Sequence, residues 1–150
     1  MSADEVDRYL ADRHTLAAAT IDPHGSVHLV AMWYGFVGGL IALETKAKSQ
    51  KVKNLRRDPR ITVMVESGDS YDQLRGVEVV GHAEIRDDRD SMLELGRSVI
   101  SRYTPPAKPE HLDPMVEHMI RNRVAIVVHP QRVVSWDHSK LSSAGRSRAR

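Results

Sequence analysis

Apolar positions along the chain change period several times, and each change marks an element. In the opening MSADEVDRYL, Val6, Tyr9 and Leu10 share one helical face. Ser2, followed three residues later by Glu5, is the capping box that starts such a helix. His14 to Ile21 reads as a strand, and Asp22-Pro23-His24-Gly25 as the turn that ends it. Ser26 to Phe36 alternates as one half-buried strand pairing back in a hairpin. Gly38-Gly39 supplies a tight turn into a third strand, Leu40 to Thr45.

Lys48 to Asp58 then switches to helical spacing, with Val52 and Leu55 at i and i+3 and Asp58-Pro59 as the stop. Arg60 to Glu66 and Arg75 to Arg86 return to strand, the second starting and bending at glycines. Asp90 to Tyr103 is a helix with Met92, Leu95, Val99 and Ile100 inward. Thr104 to Pro114, with its prolines, is an exposed connection. Met115 to Asn122 predicts one more short helix, and Arg123 to His129 and Gln131 to Asp137 two closing strands divided by Pro130. Six or seven closely spaced strands with short helices predict a mainly β (α+β) fold, an antiparallel barrel with helical decorations. No regular alternation of strands with long helices supports a doubly wound parallel sheet.

Composition narrows the function classes. The 150 residues are 41% hydrophobic and 28% charged, which fits one globular domain, taken as residues 1–141, with 142–150 a disordered basic tail. There is no cysteine, so thiolate metal sites, iron–sulfur clusters and cysteine nucleophiles are excluded. The eight histidines show no HxH or HExxH spacing, and no metal site is expected. No GxSxG elbow supports serine hydrolysis. The charged opening segment lacks a secretory apolar core, and no run is long enough to span a membrane, so the expected location is cytoplasmic. A net charge of +2 argues against nucleic-acid binding, as does the lack of an aromatic stacking platform beside the basic residues.

Basic charge nevertheless concentrates between Lys46 and Arg60. There a strand end runs through a polar loop into a helix start, where unpaired amides and the helix dipole favour an anion. Thr45 and Ser49 add hydroxyls, and Lys48 and Lys51 add full positive charge, a set suited to a phosphate monoester. Asn54 lies one turn beyond Lys51 on the same helical face. By charge alone, a solvated basic helix face would look the same; spacing and neighbours separate the two readings.

On those neighbours, the chain resembles the pyridoxamine 5′-phosphate oxidase-like split-barrel superfamily, and within it the flavin/deazaflavin oxidoreductase B group, which includes F420-dependent reductases. The resemblance runs from about Leu10 to Leu141, through LAAATIDPHGSVHLVAMWY, TKAKSQKVKNLRRDPR, RGVEVVGHAEI and RVVSWDHSKL. It implies that Thr45, Ser49 and Lys51 grip a cofactor phosphate, with Lys48 as an additional contact. The KxxN pattern of the F420-using group is met by Lys51-Val52-Lys53-Asn54. FMN-using oxidases often place Arg where this chain has Gln50, and Gln on the later strand where it has Gly76. Coenzyme F420 is therefore the expected cofactor and FMN the alternative.

The same resemblance lays the second strand along the ring edge, with backbone contacts from Val30, Ala31 and Met32. Met32 and Trp33 are candidate side chains there, or else fill the barrel or a dimer seam. It brings Trp136 to the cofactor from the other subunit, with His138 a weaker candidate. The implied protein is a homodimer with the cofactor at its interface, passing hydride from reduced F420 to an electron-poor small molecule such as a conjugated carbonyl, quinone or bilin. A non-enzymatic carrier or sensor built on the same phosphate site is the other alternative. No proton donor is identified; Tyr34, Tyr71, His138 and ordered water remain open.

Overall fold

The computed structural model describes residues 1–12 and 14–141. Ser2 caps the first helix, α1 (Ala3–Ala11), through the reciprocal bonds of a complete capping box. Tyr9 and Leu10 are its buried face. The strands are β1 (Leu16–Ile21), β2 (Val27–Met32), β3 (Gly35–Val37), β4 (Leu40–Lys46), β5 (Arg60–Ser67), β6 (Arg75–Arg86) and β7 (Arg123–Asp137). All pair antiparallel in one curled sheet, ordered β2-β1-β5-β6-β7-β4-β3. The expected split barrel is thus the observed architecture.

The curl encloses a core of alternate inward residues, among them Leu16, Leu43, Val63, Val65, Val77 and Ile126, each at most 1% exposed. Helix α2 (Gln50–Arg57) closes one end of this core with Val52 and Leu55. Helices α3 (Arg89–Tyr103) and α4 (Leu112–Met119) lie outside, where Met92, Leu95 and Val99 cover the outer face of β3, β4 and β7. All four inward positions expected on α3 are buried.

Three expected boundaries change. The single strand expected over Ser26 to Phe36 is two strands on opposite margins of the sheet, because β2 pairs with β1 and β3 with β4. Between them Tyr34 turns fully inward, its hydroxyl donating to the Leu10 carbonyl at 2.8 Å. The two closing strands are one strand, β7. Pro130 pairs with Gly81 and Arg132 with Val80, so Gln131 is the extra residue of a bulge that accommodates the proline. The last helix, expected from Met115, starts at Leu112 after a 3₁₀ turn at Pro109–His111, inside the segment expected to be connection. The tail expected over 142–150 lies outside the described residues.

Arg102 fastens α1 to the barrel. Its guanidinium donates to the Leu10, Ala11 and Asp12 carbonyls at the C-terminal end of α1 and lies 4.7 Å from the Tyr34 ring centroid. Arg102→Met should cost about 1–2 kcal/mol in denaturant unfolding, because the helix-end carbonyls lose their charged donor.

Candidate functional site

The anion-type loop begins where β4 ends. Thr45 pairs with Val124 and Lys46 with Arg123, and the residues that follow leave the ladder toward α2. The Ala47 amide donates to the Asn122 carbonyl, and the Ser49 amide to that of Lys46, so the loop is pinned at both ends. Asn122 holds a positive φ of 58°, a conformation asparagine tolerates better than most residues.

Three side chains form one chain of hydrogen bonds. The Lys51 ammonium donates to Thr45 Oγ1 at 3.1 Å, and that hydroxyl donates to Ser49 Oγ at 3.3 Å. Lys51 keeps two N–H donors, and the Ser49 hydroxyl keeps its own proton. Ser49 sits at the N-cap of α2 without a side-chain capping bond. Lys53 is the first α2 amide with a helical partner, the Ser49 carbonyl, leaving those of Gln50, Lys51 and Val52 without an intrahelical acceptor. Surplus donors and one full charge thus cluster at the start of α2, where the helix dipole adds partial positive charge. Lys48 is exposed at the rim.

Burial lowers the Lys51 pKa below its usual 10.5. Only its ammonium form attracts an anion, and a bound anion stabilises that form. Affinity for a phosphate monoester should therefore hold below the lowered value and fall as pH rises through it, before free lysine would titrate. Replacing Lys51 with Arg should move that fall to higher pH, as read by ligand titration across the alkaline range.

Asn54 is turned the other way. It is fully buried, donating to Thr20 Oγ1 at 3.0 Å and accepting from Gln50 Nε2 at 2.9 Å. Gln50 and Asn54 thus tie α2 to β1, while Lys51 is directed at Thr45. Arg57 reinforces that tie, donating to the Ile21 carbonyl.

The second strand lies at the margin of the sheet. Pairing only with β1, β2 leaves its other row of backbone groups without ladder partners among the described residues. Val30 and Met32 face the core and pack against it, and Ala31 is on the exposed side. Trp33 is 52% exposed and stacks on Tyr103 at 4.7 Å with planes 3° apart. Tyr103 is held by its hydroxyl donating to the His14 carbonyl. No local pattern reports this pairing, because Trp33 and Tyr103 lie on distant segments of the chain.

The outer face of the sheet is apolar over much of its width. In the register, Leu29, Ala19, Thr62, Val80 and Arg132 form one row, and Ala31, Ala17, Met64, Glu78 and Val134 the next, with Arg132 and Glu78 paired across them. Val27 and Leu29 are each 64% exposed. Trp136 lies on this face above Gly76, where a Cβ would overlap the indole. It stands at the opposite end of β7 from Val124, the partner of Thr45, so one protomer does not bring Trp136 to the loop.

The family model described as Pyridoxamine 5′-phosphate oxidase matches residues 2–137. A conserved hypothetical protein from Mycobacterium tuberculosis is 47% identical, with a TM-score of 0.89 over 95% of this chain and 88% of its own. A structure described as F420 reductase is 26% identical, with a TM-score of 0.62 over 85% and 94% of the two chains. A heme storage protein from Vibrio cholerae shares the fold at 14% identity and a TM-score of 0.64, covering 88% and 92%. No curated protein matches the chain.

Proposed function

Because the chain belongs to the pyridoxamine 5′-phosphate oxidase family, we propose that it is an F420-dependent oxidoreductase acting on an electron-poor small molecule. When bound, reduced F420 supplies a hydride from C5 of its deazaflavin ring, and the acceptor takes up a proton as well. The observation that carries this reading is the Lys51–Thr45–Ser49 hydrogen-bond chain at the start of α2. Those residues hold the phosphate, Lys48 adds charge at the rim, and the free backbone row of Val30, Ala31 and Met32 positions the ring edge. The 26% identity with a protein described as F420 reductase supports F420 over FMN.

The second protomer completes the site. The apolar outer face, with its exposed Val27, Leu29 and Val134, supports a homodimer in which the partner brings Trp136 near the ring, with Trp33 flanking it from the second strand. Among the described residues no helix is long and apolar enough to cross a membrane. Light scattering at micromolar concentration should return a dimer. A monomer that binds the cofactor would contradict the shared site.

Side-by-side titration of apoprotein with F420 and with FMN tests the cofactor. Tighter F420 binding is expected; preferential FMN binding would make it a flavin enzyme on the same receptor. Bound F420H2 should then reoxidise with at least one acceptor in a panel of enones, quinones and bilins. Reoxidation with none of them would favour a carrier or sensor.

A further inference from the structure

Two open cavities flank α4 and share His118 and Met119 in their linings. One, of about 770 Å³, is bounded by Lys46, Lys48 and Arg121 at the end of α4 and the start of β7. The other, of about 580 Å³, runs alongside α4 and is lined mainly by Ile100, Pro114 and Met115, with Thr104 and His111 at its rim. The first is rimmed by basic side chains and the second is apolar, so that across the shared residues they form a trough with one basic and one apolar end.

The charge at the basic end is not consumed by the fold. Arg123 is paired at 2.9 Å with Glu44, whose side chain is 7% exposed. Lys46, Lys48 and Arg121 have no acidic partner within 4 Å among the described residues. The two acids of α4, Asp113 and Glu117, are paired with Arg97 and Arg89 of α3. Negative charge is thus held away from the trough. Met119 also packs against the α3 core cluster, so the floor at the junction is fixed.

We infer that this trough is a binding site for an amphipathic carboxylate, an apolar body ending in an anionic head. The head sits among Lys46, Lys48 and Arg121, and the body lies along Met119, Met115 and Ile100. The eight residues of α4 span about 12 Å, comparable to a medium-length acyl chain. An inorganic or wholly hydrophilic anion would leave the apolar half empty, and a neutral hydrocarbon would leave three cations without a counter-charge. The shared lining favours a ligand with both parts. This site adjoins the phosphate receptor, with Lys48 at the rim of both, but lies on the other side of β4, since Glu44 and Lys46 occupy its α3 side whereas Thr45 faces the barrel interior.

Calorimetric titration of the full chain with dodecanoate, dodecanol and poly-γ-glutamate tests the assignment without any F420, so its outcome leaves the cofactor reading untouched. Dodecanoate should bind most tightly. The double charge reversal Lys46→Glu with Arg121→Glu should weaken it about tenfold or more while leaving dodecanol unaffected. Met115→Asp, at an exposed position, should weaken both, with each variant melting like the unsubstituted protein. Dodecanoate binding no better than dodecanol, or unchanged by either variant, would overturn the site. So would poly-γ-glutamate binding as tightly, because the basic half alone would then be the receptor.

Discussion

Lys51→Ala should weaken F420 binding by about 1.5–3 kcal/mol, roughly 10- to 150-fold, with little change in melting temperature. The ammonium is the one full charge in the hydrogen-bond chain, and its partners Thr45 and Ser49 remain after truncation. Thr45 is 6% exposed but still bonds to Ser49, so no buried polar group is stranded. Half-buried Lys51 is already disfavoured as an ion by desolvation, so removing it relieves a small cost in the free protein. The loss therefore falls on the ligand-bound state. Fluorescence titration of the deazaflavin against both proteins measures it, and circular dichroism melts confirm that the fold is intact. Thr45→Val and Ser49→Ala should each cost less, because each removes a neutral donor.

Gly81→Ala should be the most damaging small substitution in the sheet, at about 3 kcal/mol and a fall in Tm on the order of 10 °C. A Cβ at Gly81 would press on the carbonyl oxygen and carbon of His129 and on Pro130, all backbone atoms of the neighbouring strand. The bulge at Gln131 already uses the local freedom of β7, and Val79 and Val128 on either side are core residues. The clash can be relieved only by shifting the longest ladder in the protein. Gly76 differs, although its Cβ would also overlap a neighbour, because that neighbour is the half-buried indole of Trp136, which can rotate outward. Thermal melts of Gly81→Ala and Gly76→Ala side by side distinguish a backbone collision from a side-chain one.

The elements most legible in the sequence were those whose signals are local. The capping box at Ser2 and Glu5, the Asp58-Pro59 stop and the inward face of α3 depend on residues within two turns of one another. β6 was legible over its whole length because its alternation and its glycines agree. The break at Trp33–Tyr34 was not, since alternation continues through it. What breaks the strand is the inward pull of Tyr34 toward Leu10, a contact with another element. Pro130 misled in the opposite direction. Proline usually ends a central strand, and only the bulge against Gly81 lets β7 continue.

Within the candidate site, the loop residues were legible because Thr45, Ser49 and Lys51 lie close in sequence. Their mutual hydrogen bonds accord with the grouping. Spacing also put Asn54 on the Lys51 face, yet the side chain goes to Thr20, a partner thirty-four positions away. The Trp33–Tyr103 stack and the basic cavity around Arg121 depend on contacts between distant segments, which no local pattern reports.

Recognition of a phosphate by the β4–α2 loop underlies the cofactor assignment. The most direct measurement is equilibrium binding of the intact protein to F420 and to the same deazaflavin chromophore lacking the phosphate-bearing arm. Binding about a hundredfold or more in favour of F420, with the advantage shrinking in Lys51→Ala, is the expected result. Equal affinity for the two ligands, undiminished when Lys51 is removed, would contradict it.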